Sequence, residues 1–140
     1  MSKTKIRALL VEDSRIVARF LTESLELEEE SNIEVVHSES MADAATVLKR
    51  QKFDVVLLDL SLPDSAGMET IVRARALSPH TPIVVLSSAD DEAIRTEAVR
   101  QGAEAYLVKG DASGGMIMQA IRQAIKGKRG ITRDAGAGLG

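Results

Sequence analysis

The sequence has no cysteine, no tryptophan and only 2% aromatic residues, and each shortage excludes a class of function. Without cysteine the chain forms no disulfide and no thiolate metal site, which fits the reducing cytoplasm, where we expect this protein. Few aromatic rings and a net charge of −3 argue against direct binding of nucleic acid, which needs a basic face or rings that stack on bases. No apolar run approaches the roughly 20 residues that cross a membrane, so we expect no membrane contact.

The order of apolar and polar residues predicts alternating strands and helices in a chain of 140 residues, a length typical of one domain. The apolar runs that predict strands are residues 6–11, 33–37, 55–58, 83–87 and 105–108. The segments with helical spacing are about 14–28, 41–51, 68–77, 91–101 and 114–125, and the last is predicted to end at Gly127.

Some predicted strands, such as residues 55–58, are near-continuous runs of Val, Ile and Leu, which is typical of parallel strands buried on both faces by helices. We therefore predict an α/β fold, a doubly wound five-stranded parallel sheet in the order 2-1-3-4-5 with five helices. Residues 1–127 are assigned to this domain. Residues 128–140, rich in Gly and Ala, are expected to be a flexible tail, the start of a linker or a remnant of expression.

Three helices carry more detailed predictions. The first is expected to turn an apolar stripe to the core, made of Ile16, Val17, Phe20, Leu21 and Leu25. The second is expected to be capped by Ser40, with Asp43 three residues later. On the fifth, Met118 and Arg122 are expected to be exposed, either as a homodimer face or simply in solvent.

Polar residues of different chemical types close four of the predicted strands. Glu12 and Asp13 follow the first, Asp59 follows the third, Ser87 ends the fourth, and Lys109 follows the fifth. In open α/β sheets, ligands bind beyond the carboxyl ends of the strands where the strand order reverses, here between strands one and three. The three carboxylates are therefore expected to converge, and they would repel one another unless a cation lies among them.

A hard divalent ion relieves such repulsion, and Mg²⁺ held by carboxylates, water and a phosphate is the common arrangement. We predict Asp13 and Asp59 as direct ligands of Mg²⁺. The backbone carbonyl of Ser61 is a third candidate ligand, and Glu12 is expected to hold a metal-bound water.

An aspartate at this position can also act as a nucleophile and form an acyl phosphate. Asp59 is better placed for this than Asp13, because its strand is central and Ser87 and Lys109 flank it. The metal and Lys109 are expected to neutralise the phosphoryl charge from two sides, while Ser87 donates a hydrogen bond to a phosphoryl oxygen.

With these motifs the chain resembles the receiver domain of two-component response regulators over about residues 5–126. The matching segments are Leu-Val-Glu-Asp-Ser at 10–14, Leu-Leu-Asp-Leu-Ser-Leu-Pro-Asp at 57–64 with Gly67, Val-Val-Leu-Ser-Ser-Ala at 84–89 and Gly-Ala-Glu-Ala-Tyr-Leu-Val-Lys at 102–109. The resemblance implies the flavodoxin-like receiver fold. It also implies that Asp59 is the phosphoacceptor, Glu12 and Asp13 the metal-binding pair, Ser87 the switch hydroxyl and Lys109 the phosphate-binding lysine.

The resemblance further implies a signalling switch and not an enzyme. The phosphodonor would be a sensor histidine kinase or a phosphotransfer protein, and Tyr106 would be a ring that turns inward on activation. The surface of the fourth helix, fifth strand and fifth helix would then engage a downstream effector protein or domain. Because Ser61 and Ala89 beside the acceptor are small, we expect water to hydrolyse the phosphoryl group over minutes to hours.

The chain departs from the family pattern at Gly110, where receivers usually carry a proline with a cis bond. We expect a trans bond and a mobile loop here. Two other functional classes remain open. A phosphohydrolase would use Asp59 as a transient nucleophile, but such enzymes often need a second aspartate two residues later, where this chain has Ser61. A phosphorylation-independent interaction domain would keep only the fold, although a degenerate site usually loses one of the functional residues.

Overall fold

The computed structural model describes residues 5–139, with side chains up to Lys128. Its strands, in chain order, are β1 Ile6–Val11, β2 Ile33–Ser38, β3 Val55–Leu58, β4 Ser61–Leu62, β5 Ser65–Ala66, β6 Ile83–Ser87 and β7 Ala105–Val108. Its helices are α1 Arg15–Glu26, α2 Met41–Arg50, α3 Met68–Leu77, α4 Glu92–Arg100 and α5 Gly114–Leu139.

Five parallel strands form the central sheet in the order β2-β1-β3-β6-β7, which confirms the predicted fold and strand order. The register pairs Leu58 of β3 with Val11 of β1 and with Val85 of β6. The strand order reverses at β1 and β3, so the residues that follow these two strands are neighbours.

A short antiparallel hairpin, β4 and β5, lies between β3 and α3 and was not predicted. Its strands pair Ser61 with Ala66 and Leu62 with Ser65, and Pro63 and Asp64 form the turn between them. The N–H of Gly67 closes the base of the hairpin by donating to the carbonyl of Leu60 at 2.8 Å. The loop after β3 is therefore ordered structure.

The hydrophobic core consists of one layer on each face of the sheet. Leu9 packs with the residues of α2, α3 and α4, whereas its neighbour Leu10 packs with those of α1 and α5. Successive side chains of a strand point to opposite faces, so strands covered on both sides must be apolar at every position. This explains why the central strand β3 is a continuous apolar run, whereas the edge strand β2 includes the exposed Glu34.

The predicted apolar stripe of α1 is wrong at two positions. Ile16 and Phe20 are 83% and 66% exposed, while Ala18, Leu21 and Leu25 are buried. Residues 18, 21 and 25 are spaced three and four apart and form the stripe that faces the sheet. At about 100° per residue, Ile16 and Phe20 lie on the opposite side of the helix from this stripe and are therefore in solvent.

On α5, Arg122 is exposed as predicted, but Met118 is buried and the prediction for it is wrong. Met118 lies three residues before Ile121 and seven before Ile125, so all three share the face that packs on the sheet. A homodimer face on α5 stays a prediction, and it does not include Met118.

The helix α5 continues past Gly127, where we predicted its end. A glycine inside a helix costs about 1 kcal/mol relative to alanine but ends the helix only where its backbone turns left-handed. Gly127 is not among the positive-φ glycines of the described residues. The environment of side chains from residue 129 onward lies outside the described residues, and a separate tail at 128–140 stays a prediction.

Two smaller expectations, on the cap of α2 and on the bond before Gly110, are confirmed. Ser40 caps α2, accepting the N–H of Asp43 at 3.0 Å. Within residues 5–139 no peptide bond is cis, so the bond before Gly110 is trans as expected. No helix in this part of the chain is both long and apolar enough to cross a membrane.

Candidate functional site

Backbone hydrogen bonds carry the sheet pairing beyond the strand ends and bring the predicted site residues to one edge. The N–H of Asp59 donates to the carbonyl of Val11 at 3.1 Å, and the N–H of Lys109 donates to the carbonyl of Ser87 at 2.8 Å. The N–H of Glu12 donates to the carbonyl of Ser38, the last residue of β2, at 2.9 Å. Each functional side chain is therefore positioned by the ladder of the sheet.

Glu12, Asp13 and Asp59 form an acidic cluster, as the sequence predicted. One carboxylate oxygen from each lies within 4.8 Å of the other two. Glu12 and Asp59 are buried, whereas Asp13 is exposed. Three carboxylates this close repel one another, and oxygen-only ligands suit a hard divalent cation. The residues present thus fit such an ion.

The ammonium group of Lys109 offsets part of this negative charge. It forms a hydrogen bond and ion pair with Glu12, and its Nζ lies 3.3 Å from Oδ2 of Asp59. Burial acts to lower the pKa of Lys109, but the hydrogen bond with Glu12 and the charge of Asp59 outweigh it and raise this pKa. Lys109 is therefore firmly cationic and compensates the two buried carboxylates.

The three carboxylates differ in how far their oxygens are already engaged. Glu12 bonds to Lys109 through one oxygen and accepts the N–H of Ser14 at 3.0 Å through the other. Asp59 accepts the N–H of Ser61 at 3.1 Å. Asp13 makes no hydrogen bond or ion pair within the described part of the chain. Asp13 is thus the carboxylate most available to a cation, while Glu12 is anchored.

Ser87 and Tyr106 meet through the backbone of Ala89. The buried hydroxyl of Ser87 accepts the N–H of Ala89 at 3.1 Å. The hydroxyl of Tyr106 donates to the carbonyl of the same residue at 2.7 Å, and its ring is buried. The ring expected to turn inward on activation already lies inward in this structure.

Sequence reasoning missed Arg95, which covers the ring of Tyr106. Its guanidinium carbon lies 5.0 Å from the ring centroid, a cation–π contact, and its Nη1 donates to the carbonyl of Tyr106 at 2.9 Å. No sequence pattern indicated this pair, because it depends on the rotation of α4 above β7.

Sequence reasoning also assigned no role to Asp64 in the hairpin turn. Its two carboxylate oxygens accept the N–H groups of Met41 and Ala42, at 3.0 and 2.9 Å, at the start of α2. These bonds hold the pKa of Asp64 below its ordinary value. The Pro-Asp turn signal so soon after Asp59 was visible in the sequence, but the partner helix was not.

A sequence model of the response regulator receiver domain matches residues 8–130. The chain therefore belongs to this family, whose members are generally signalling switches of two-component systems rather than enzymes.

Curated relatives are longer proteins. The chain is 30% identical over 128 residues to the uncharacterized transcriptional regulatory protein YxjL of Bacillus subtilis (strain 168), covering 91% of this chain and 58% of that protein. It is 36% identical over 105 residues to the response regulator protein FleR of Pseudomonas aeruginosa, covering 74% of this chain and 21% of FleR. The chain thus spans less than two thirds of the length of these relatives.

Solved structures agree on the fold. The response regulator domain of Thermotoga maritima CheB has a TM-score of 0.76 at 26% identity, covering 88% of this chain and 98% of that domain. A CheY-like receiver domain from Methanospirillum hungatei JF-1 has a TM-score of 0.77 at 20% identity, covering 90% and 98%, and shows the fold alone.

Proposed function

We propose that this protein is a phosphorylation-activated switch that accepts a phosphoryl group on Asp59. The observation that carries this proposal is the position of the Asp59 carboxylate. It lies at the carboxyl end of the central strand, with an oxygen within 4.8 Å of carboxylate oxygens of Glu12 and Asp13, and its Oδ2 lies 3.3 Å from Nζ of Lys109. A nucleophile so placed has charge compensation ready for an incoming phosphoryl group.

The phosphodonor is a phosphohistidine of a sensor histidine kinase or a phosphotransfer protein. A carboxylate oxygen of Asp59 attacks phosphorus, and the new P–O bond forms as the P–N bond to the donor histidine breaks. The released imidazole takes a proton from solvent. The chain supplies position and electrostatics, which are the main contributions in phosphoryl transfer.

Asp13 and Asp59 would hold Mg²⁺, with the carbonyl of Ser61 as a further ligand and Glu12 placed to bind a coordinated water. When bound, the ion supplies positive charge that neutralises the phosphoryl oxygens. Support comes from the oxygen-only cluster and from the carboxylate of Asp13, which is not engaged by the described residues.

Ser87 and Lys109 would contact the phosphoryl group on the side opposite the metal. We propose that the hydroxyl of Ser87 loses the hydrogen bond that it accepts from the N–H of Ala89. It then donates to one phosphoryl oxygen, while the ammonium group of Lys109 pairs with a second phosphoryl oxygen. The carbonyl of Ala89 also receives the hydroxyl of Tyr106. A shift of Ser87 therefore affects Tyr106 through the backbone of Ala89. We expect it to raise the population of the conformation in which the Tyr106 ring is buried.

The surface of α4, β7 and α5 carries the output. Tyr106 and Arg95 line a depression of about 270 Å³ there, together with the partly exposed Met116. A change in the ring of Tyr106 alters this surface directly. We propose that it binds a downstream effector protein or domain, and a homodimer remains a further proposal for the α5 side.

The test is labelling by acetyl phosphate with Mg²⁺, followed by intact-mass analysis. Wild type and Asp90→Asn, an exposed aspartate at the same edge, should gain one phosphoryl group. Asp59→Asn should gain none, and undiminished labelling of that variant contradicts the assignment. Multiple turnovers on a phosphoester would instead favour a phosphohydrolase, and failure to bind millimolar Mg²⁺ would favour an interaction domain.

The lifetime of the phosphoryl group follows from side-chain size. Ser61 is exposed and Ala89 carries only a methyl group, so neither shields Asp59 from water. We expect the label to decay over minutes to hours once the donor is removed. A label that persists for days would contradict this expectation.

A further inference from the structure

The N-terminus of α2 is held by two side chains from different parts of the chain. The first N–H groups of a helix have no partner inside it, and a residue just before the helix normally satisfies one of them. Here Ser40 takes the N–H of Asp43, while Asp64 takes those of Met41 and Ala42 from 23 and 22 residues away. A carboxylate at this end also complements the helix dipole.

Asp64 lies in the turn of the β4–β5 hairpin, whose first strand begins two residues after Asp59. The N–H of Ser61, the first hairpin residue, donates to the carboxylate of Asp59 at 3.1 Å. At the tip, Arg73 of α3 donates to the backbone carbonyl of Asp64 at 2.9 Å. The hairpin is paired along its short length, so its strands form a direct structural connection between the turn at Asp64 and Ser61.

The other end of this connection reaches the acidic pair. The helix α2 follows β2 after two residues, and the carbonyl of Ser38 at the end of β2 accepts the N–H of Glu12 at 2.9 Å. The two hydrogen bonds of Asp64 therefore complete a closed network of contacts. One arm runs through the hairpin to Asp59, and the other runs through α2 and β2 to Glu12 and Asp13.

We propose that Asp64 is a positioning residue for the acceptor site. Its carboxylate fixes the hairpin against α2, and this sets the spacing between Asp59 with Ser61 and the acidic pair. That spacing determines how well the cluster holds Mg²⁺. The inference rests on the proposed function, since it concerns the same cluster.

The substitution Asp64→Asn tests this with almost no change in shape. An amide accepts one of the two helix N–H groups but turns its own N–H₂ toward the other. We expect the dissociation constant for Mg²⁺, measured by calorimetry, to rise about tenfold, as is usual when a residue that orients metal ligands is lost. Phosphorylation by acetyl phosphate should slow at low Mg²⁺ and recover at saturating Mg²⁺.

The matched control is Ser40→Ala, which removes a cap from the same helix end without touching the hairpin. It should lower stability to a similar degree yet leave the affinity for Mg²⁺ unchanged. Equal loss of Mg²⁺ affinity in both variants would show a general effect of α2 and overturn the inference. Wild-type affinity in Asp64→Asn would overturn it too.

The same measurements separate this inference from the proposed function. A wild type that neither binds Mg²⁺ nor takes up the phosphoryl group overturns both. A wild type that does both, with an Asp64→Asn variant that matches it at every Mg²⁺ concentration, overturns only the role of Asp64.

Discussion

Removing one carboxylate from the acidic cluster should stabilise the protein when Mg²⁺ is absent and weaken its response when Mg²⁺ is present. The chosen change is Asp13→Asn, because Asp13 is exposed and has no partner in the described part of the chain. The substitution therefore breaks no contact and alters mainly the charge.

The size of the effect follows from the geometry. Carboxylate oxygens of Asp13, Glu12 and Asp59 lie within 4.8 Å of one another. Two unit charges at that separation repel by about 0.9 kcal/mol in water, so the two pairs of Asp13 amount to about 1.7 kcal/mol. Attraction to Lys109 and to the N-terminus of α1, the latter up to about 1 kcal/mol, offsets part of this. We expect a net gain of up to about 1 kcal/mol.

Urea unfolding followed by far-UV circular dichroism, with a chelator and then with Mg²⁺, measures both halves of the prediction. At tenfold the dissociation constant, Mg²⁺ should stabilise the wild type by about 1.4 kcal/mol. Asp13→Asn should gain much less, so that the order of stability reverses. Asp90→Asn, with the same change in net charge outside the cluster, should differ from wild type by less than about 0.5 kcal/mol in both conditions.

Two results would refute the reasoning. If Asp13→Asn is no more stable than wild type in chelator, repulsion within the cluster does not dominate its energetics. If the variant gains as much from Mg²⁺ as the wild type does, Asp13 is not a ligand.

Four further predictions concern packing and charge elsewhere in the structure. Gly114→Ala should destabilise by about 1–3 kcal/mol in urea unfolding, because its Cβ would press on the backbone of α1. Gly127→Ala, with open space around the new Cβ, should instead stabilise by up to about 1 kcal/mol. Lys109 has a raised pKa, so its ion pairs contribute fully below its ordinary value of 10.5 and are lost as pH rises through the raised pKa. Lys109→Met should therefore abolish this alkaline step in a series of urea titrations. Arg95→Gln should expose the ring of Tyr106, the only tyrosine of the chain, and increase quenching of its fluorescence by acrylamide.

The sequence predicted the sheet well because burial on both faces leaves strands almost no freedom in composition. Four of the five predicted strands have the observed bounds. The remaining one, β2, ends one residue later than predicted, at Ser38. The β4–β5 hairpin was not predicted, because strands of two residues are too short to show a period in the sequence. On α1, apolar residues cover more than one face, and only packing against the sheet decides that Leu21 is buried and Phe20 is not.

The candidate site shows the same division between topology and side-chain geometry. Convergence of Glu12, Asp13 and Asp59 follows from strand order, so it was predictable. The hydrogen bond between Lys109 and Glu12 was not predictable, because the side chain of Lys109 can reach either Glu12 or Asp59 from the same backbone position. The contact of Asp64 with α2 joins segments more than 20 residues apart, and no local pattern reports it.

The position of Lys109 indicates why metal binding and phosphorylation should depend on each other. In this structure Lys109 compensates the buried Glu12 as well as Asp59. If Lys109 moves toward a phosphoryl group on Asp59, Glu12 loses its cation, and a buried unpaired carboxylate is costly. A divalent ion beside Asp13 restores the missing positive charge. Metal binding therefore lowers the free energy of the phosphorylated form, and by linkage phosphorylation must tighten metal binding by the same factor.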